Sequence, residues 1–382
     1  MSRFLFVVPP LTSHLNPAAA IAGELSAQGH AVAWAGPETI LRPILGPTAT
    51  IYRTGTRMYR GIRDRGTSPA QAFLDGYVVP LARFTLAAVD KAVREFEPDV
   101  VVVDQHGVAG ALVAHRHGLR WASLLPSSMG LFPDRAAEFD AWLAGSLAKL
   151  WAEAELPPAS DETLLSMMFS PYLQLAFTTT ALTGEAPAAD HVKLVGPALC
   201  PRLGEPAVPV DWLDPDRALV LVTVGTLNVD VATDFYQRAV QALAGLGDRL
   251  QGIVLAPPDI LPDPPDHVAV LPRVDVLALM PHLAAVVSHG GANTVGEALS
   301  HGIPLVVAPI TLDQPRTAEQ VVRAGAGIRV DFNDATPAVL REAMTAVLDD
   351  ERYRAAAERI RDSFTAAGGA AAAAGHLSRL AR

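Results

Sequence analysis

Val286-Val287-Ser288-His289-Gly290-Gly291-Ala292-Asn293-Thr294-Val295-Gly296-Glu297-Ala298-Leu299 reads as a strand, a tight turn and a helix start. The β-branched run ends at Ser288-His289, two glycines follow, and Asn293 or Thr294 opens a helix that Gly302 closes. Such a turn presents unpaired backbone N–H groups at the positive end of a helix, where an anion binds. His289 stands at the mouth of the turn and Glu297 lies one helical turn further in. The stretch predicts a diphosphate site with a ribose contact behind it.

Working outward, the same strand–helix alternation continues on both sides. Strands are expected at Ala218–Val224, Gln251–Ala256, Val268–Leu271, Ala284–Ser288, Pro304–Ile310 and Gly327–Val330. Helices are expected near 230–246, 275–282, 294–301, 315–324 and 336–349, with a helical, Ala-rich tail softened by Gly368-Gly369. The N-terminal half opens on a strand apolar on both faces, residues 3–8, as in a parallel sheet. A loop from Pro9 to Leu15 follows, and Asn16-Pro17 signals a helix start. Further strands are read at Ala31–Ala35, Asp99–Val103 and Trp121–Leu124, and a long helical stretch Pro69–Phe96 is expected to break near Pro80. Residues of about 53–68 read as a mobile loop, and 133–168 as a helix-rich insert.

Alternating elements on both sides of a Pro/Gly-rich segment predict an α/β protein of two doubly wound, Rossmann-like domains with a cleft. The expected boundaries are 1–200, a linker at 201–210, a second domain at 211–365, and a helical tail at 366–382 packing back toward the first domain. Ligands of such sheets bind beyond the carboxyl ends of the strands. His14, Asp104, Thr226 and His289 all follow strands in this reading and converge on the cleft.

Composition narrows the function. Of 382 residues half are hydrophobic and 18% charged, with a net charge of -10, which opposes a nucleic-acid footprint. The single cysteine, Cys200, excludes an internal disulfide framework and a Cys-based metal site. The apolar N-terminus is short and interrupted by Pro9-Pro10, unlike a signal peptide. No run of membrane-spanning length is read, so a cytoplasmic protein is expected.

The loop Thr12-Ser13-His14-Leu15-Asn16-Pro17 and the block His289-Gly290-Gly291-Ala292-Asn293-Thr294-Val295-Gly296-Glu297, followed by Asp313-Gln314, resemble the family 1 glycosyltransferases. The resemblance covers essentially the whole chain and is most specific in the C-terminal block. It implies the GT-B architecture of two facing Rossmann-like domains and inverting transfer from a nucleotide diphosphate sugar. The relatives it brings closest act on macrolide, polyketide and carotenoid-type acceptors.

The resemblance also distributes roles. His14 would be the general base and Asp104 would fix its tautomer. His289, Gly291, Asn293 and Thr294 would hold the diphosphate, with a hydroxyl from Thr226 and a further contact from Ser13. Glu297 would accept from the ribose hydroxyls, and Asp313 and Gln314 would read the sugar. Where many relatives carry a stacking Trp this chain has Arg273, whose guanidinium can stack; Val274 would offer backbone hydrogen bonds to the base. Glu297 favours a UDP-sugar over a TDP-sugar, since a carboxylate can span two ribose hydroxyls.

No cofactor and no metal are expected: Asp214-Pro215-Asp216 imitates an Asp-x-Asp metal motif but reads as a turn. Leu11, Met58, Tyr59, Phe73, Tyr77, Trp142 and Met167-Met168 are candidates for an apolar acceptor pocket, or for core. His106, His115 and His117 are read as packing or surface residues. The partners implied are a nucleotide sugar and a small hydrophobic acceptor, with a homodimer left open. Two other readings share the architecture: a nucleotide-sugar epimerase, and an inactive auxiliary homologue.

Overall fold

The computed structural model describes residues 1–56, 68–127, 131, 136–202, 206, 210–225, 232–261 and 263–382. By contact the chain falls into two compact units. Unit 1 comprises Met1–Phe177, Pro187–Leu203 and Ala367–Arg382; unit 2 comprises Thr178–Ala186 and Gly204–Ala366.

Unit 1 is built on strands β1 (Arg3–Val7), β2 (Ala31–Gly36), β3 (Thr50–Arg53), β4 (Val100–Asp104), β5 (Arg120–Leu125), β6 (Gln174–Ala176) and β7 (Val192–Leu194). They pair in parallel in the order β3-β2-β1-β4-β5-β6-β7. Unit 2 holds β8 (Ala218–Thr223), β9 (Leu250–Leu255), β10 (Val268–Leu271), β11 (Leu283–Ser288), β12 (Leu305–Val307) and β13 (Gly327–Arg329), ordered β10-β9-β8-β11-β12-β13. The two orders are the same doubly wound pattern. In each, the chain runs outward from a first strand (β1 or β8), then returns to that strand's other side (β4 or β11). The crevice at that reversal, beyond the carboxyl ends, is where this topology binds ligands.

The central strands are buried on both faces, as their unbroken apolar runs require: Phe4, Leu5, Phe6 and Val100–Val103 are almost wholly inaccessible, as are Val220–Val222 and Ala285–Val287. Helices cover both faces. The C-terminal helix Gly369–Leu380 contributes Ala373, Ala374 and Leu377 to the unit 1 core beside Phe4, Ile21 and Leu25. Gly368 (φ 85°) and Gly369 (φ 53°) turn the chain between that helix and Glu351–Ala367. Packing in unit 2 is close enough that a Cβ on Gly327 would stand 2.2 Å from the Leu305 carbonyl oxygen.

Four local expectations change. The first helix begins at Thr12, not at Asn16-Pro17, so Pro17 lies inside it and His14 sits in its first turn. The stretch Pro69–Phe96 is not broken at Pro80; it widens into a π-turn over Leu74–Val78. That turn lies immediately before the proline, whose missing amide would otherwise interrupt the hydrogen-bond ladder. The helix after His289 starts at Ala292, earlier than Asn293 or Thr294. Finally, the same Pro69–Phe96 stretch is long and apolar enough to cross a membrane, contrary to the reading above, although half of its most apolar window is buried within the fold.

Candidate active site

The reversal point of unit 1 carries the first cluster. Asp104 ends β4, and His14 enters from the first turn of the helix that follows β1. His14 Nδ1 lies 2.8 Å from Asp104 Oδ2. The other carboxylate oxygen, Oδ1, accepts the His106 backbone N–H at 2.9 Å. Asp104 is 1% exposed, whereas the His14 side chain keeps 13%. The carboxylate is thus clamped from both sides, and the imidazole it holds retains an open edge.

Two glycines make this clamp possible. A Cβ on Gly107 would stand 2.5 Å from the Val7 carbonyl oxygen, and one on Gly110 would stand 2.8 Å from Val7 Cβ. The turn after Asp104 and the helix Val108–Arg116 can therefore press against the end of β1, which keeps Asp104 within reach of His14. Backbone cannot yield to a methyl at Gly107 as a flexible side chain could.

His106, expected near the acceptor cleft but without a role, has its ring centroid 5.1 Å from that of His14 and 5.1 Å from that of Phe73. Burial pushes its pKa down to about 4, with the neighbouring His14 acting in the same sense and Asp104 opposing. Tyr77 follows Phe73 at a centroid distance of 5.6 Å. Burial, and then the Asp104 charge, push the Tyr77 phenol well above its ordinary range. The π-turn carries Tyr77 toward Asp104, with Phe73 just before it against His106; such turns are common at functional sites. Of the other acceptor candidates, Leu11, Met167 and Met168 are buried and Trp142 is half-buried. Met58 and Tyr59 lie outside the described residues. Ser13 is exposed in the same first turn as His14.

Unit 2 carries the second cluster at its own reversal point. β11 ends at Ser288, whose hydroxyl accepts the Gly290 N–H at 3.1 Å. Gly290 (φ 79°) and Gly225 (φ 70°), after β8, both hold left-handed backbone. The His289 ring lies against Gly291 and Gly225: a Cβ on Gly291 would stand 2.5 Å from Nε2, and one on Gly225 would stand 2.9 Å from Cε1. Gly291 is the N-cap of the helix Ala292–Ser300, and having no side chain it leaves the first-turn amides uncapped from its own position. Asn293 and Thr294 are half-buried in that turn, and Glu297 is buried at 5% exposure.

Burial pushes the His289 pKa down to about 4, against a smaller opposing effect of the Thr223 backbone. In the unliganded fold its imidazole is therefore neutral at physiological pH, and it meets an incoming anion as an N–H donor. The sign of the stability effect follows. Between pH 6.5 and 4 the unfolded chain takes up a proton that folded unit 2 refuses, so stability falls with pH across that window and levels off below it. Comparing urea midpoints at pH 7.5 and 5, the wild type should lose about 2 kcal/mol more than His289→Gln; equal losses would refute the shift.

Gln314 lies against this turn: a Cβ on Gly290 would stand 3.3 Å from its backbone carbonyl oxygen. Asp313 precedes the helix Gln314–Arg323, and Thr317 N–H donates to its carbonyl at 3.0 Å. Gln314 is buried, and its Oε1 accepts from Ile310 N–H at 2.9 Å and Thr311 N–H at 3.0 Å, which shapes the loop after β12. Leu312 in that loop holds φ 57°, a left-handed conformation uncommon for a branched residue. Arg273, after β10, is exposed, while Val274 is buried in the core. Thr226 lies outside the described residues. Asp214 Oδ1 accepts the Asp216 N–H at 3.0 Å, and Asp214 pairs with Arg217 at 3.1 Å, as in a turn. Among the described residues one group could hold a metal: His14, Asp104 and His106.

Two parallel α/β units that share one order over six strands, with β7 added to the first, each have a ligand-type crevice at the reversal point, as in the GT-B class of fold. Comparison with known proteins agrees. Residues 253–380 match the family model of the erythromycin biosynthesis protein CIII-like C-terminal domain. The chain is 28% identical to 4'-demethylrebeccamycin synthase of Lentzea aerocolonigenes, over 96% of each chain. Among solved structures, the glycotransferase of kitacinnamycin superposes with a TM-score of 0.84 at 23% identity, covering 100% of this chain and 99% of that one. The glycosyltransferase VinC, solved in complex with DTDP, gives 0.77 at 23% identity over 99% of each chain. Several relatives of this chain are natural-product and antibiotic glycosyltransferases.

Proposed function

We propose that this protein is an inverting glycosyltransferase that moves a sugar from a nucleotide diphosphate to a hydroxyl of a small hydrophobic natural product. The observation that carries the proposal is the His14 Nδ1–Asp104 Oδ2 contact of 2.8 Å at the unit 1 reversal point. With Nδ1–H donated to the carboxylate, Nε2 keeps its lone pair and can take the acceptor proton. Asp104 then stabilises the imidazolium. Phe73 and Tyr77 supply apolar surface beside that base.

Unit 2 supplies the donor site in this reading. The first-turn amides of Ala292–Ser300 and the neutral His289 N–H receive the diphosphate, so the leaving group is stabilised by fixed dipoles. Asn293 and Thr294 complete the cradle, Glu297 receives ribose hydroxyls, and Asp313 reads the sugar. Gln314 acts through its hold on the Ile310–Thr311 amides. Val274 offers backbone to the base, with Arg273 over its face. The step as written draws on side chains and backbone dipoles, with no cofactor or metal assigned to it.

Glu297 favours uridine over thymidine donors carrying 2-deoxyribose; the relative bound to DTDP weighs the other way. Turnover with UDP-glucose and TDP-glucose against a panel of phenolic and macrolide acceptors decides this. A UDP preference of about tenfold or more is expected, corresponding to ~1.4 kcal/mol, and a TDP preference would overturn the assignment of Glu297. Epimerised donor without transfer would replace the whole reading with the epimerase alternative.

A further inference from the structure

The group His14, Asp104 and His106 has a second use that the transfer chemistry does not absorb. Each side chain offers one ligand atom, and the three atoms lie within 4.8 Å of one another. Two imidazoles and one carboxylate are a donor set suited to zinc and its neighbours, and a poor one for magnesium or calcium, which take oxygen ligands. His106 has the properties of a ligand in waiting. Its Nδ1 is buried and makes no hydrogen bond within the described residues. Its ring is positioned by edge contact with Phe73 and by proximity to His14.

We propose that His14, Asp104 and His106 form a site for a zinc-type divalent cation, and that its occupation switches the base off. The inhibitory half of this proposal rests on the reading of His14 as the base; the binding half does not. Zinc holds imidazole nitrogen and carboxylate oxygen at about 2.0–2.2 Å, which sets tetrahedral donors roughly 3.4 Å apart. The three donors already lie within 4.8 Å of one another, so metal binding opens the 2.8 Å His14–Asp104 pair and draws His106 in.

The chemistry is a ligand exchange with a tautomer shift. Zinc takes the Nδ1 lone pair of His14, and the ring proton moves from Nδ1 to Nε2. The imidazole stays neutral, nothing is oxidised or reduced, and Nε2 no longer has a lone pair for the acceptor proton. Asp104 exchanges its hydrogen bond from His14 for a bond to the metal, while the His106 backbone N–H still holds its Oδ1.

The test uses cobalt(II) as a spectroscopic probe and zinc as the inhibitor. The chain with cobalt should show visible d–d absorption of a low-coordinate N/O site, and zinc should displace it. His106→Phe keeps the ring packing and the backbone N–H but removes the nitrogens. It should lose the cobalt band and raise the zinc concentration for half-inhibition of transfer at least tenfold, each protein being compared with its own metal-free turnover. EDTA should restore the zinc-treated wild type. Absence of the cobalt band in wild type, or a band and zinc sensitivity unchanged in His106→Phe, would overturn the site. A band that depends on His106 in a protein that transfers no sugar would uphold the site and reject the function.

Discussion

His14→Ala is expected to reduce transfer by about 10²–10⁴-fold, the usual contribution of a positioned general base. The loss should fall on kcat, with the donor KM little changed, because His14 stands in unit 1 on the carboxyl side of β1 while the diphosphate cradle is assigned to unit 2. Asp104→Asn provides the matching control. It preserves the size of the side chain and its acceptor oxygen for the His106 N–H, but it offers no charge to a developing imidazolium. Its loss should be of the same kind and somewhat smaller. Full activity in His14→Ala, measured by product formation under saturating donor, would show that the base lies elsewhere.

The second large effect belongs to His289. Its ring is buried between glycines that a Cβ could not replace, and its pKa is pushed down to about 4. A neutral imidazole N–H in a dry site is a fixed donor, and removal of one such donor from a developing anion costs about 10²–10³-fold in turnover. His289→Ala is therefore expected to lose activity on that scale. His289→Gln, which keeps an N–H donor, should recover part of it. Because the group is neutral across the physiological range, turnover should carry no ionisation of His289 between pH 6 and 8. Recovery by Ala as complete as by Gln would mean that the ring serves packing only.

Much of this architecture was legible because parallel strands buried on both faces must be apolar throughout. The runs at β1, β4, β8 and β11 announce themselves for that reason. The strands β3, β6 and β7 at the two sides of the first sheet are three or four residues long and carry too little pattern to stand out in sequence. Strand order is set by packing of whole elements, so the identical reversal in both units emerged only from the fold. Helix starts misled where tertiary contacts outweighed local signals. Asn16-Pro17 has the residues of an N-terminus, yet the helix begins at Thr12 and carries His14 with it.

The site was legible to a similar depth. His14 and Asp104, 90 residues apart, meet because β1 and β4 are neighbours, a pairing that periodicity alone does not specify. His106 was passed over because a single histidine after a strand has no pattern of its own. Its significance arises from the ring packing around it. Gln314 adds something the residue type did not announce: its side-chain amide oxygen shapes the loop beside Leu312. In each instance the residue type was visible in sequence, and the role depended on neighbours brought in by topology.

The most direct test of the central claim is the anomeric configuration of the product. Incubation of the wild-type protein with an α-linked nucleotide diphosphate glucose and a hydroxylated acceptor, followed by proton NMR of the glycoside, reads the stereochemistry at the transferred carbon. Direct attack by an acceptor oxygen deprotonated at His14 predicts the β-glycoside, and predicts that it disappears in His14→Ala. An α-glycoside, or a β-glycoside formed equally well by His14→Ala, would contradict the account.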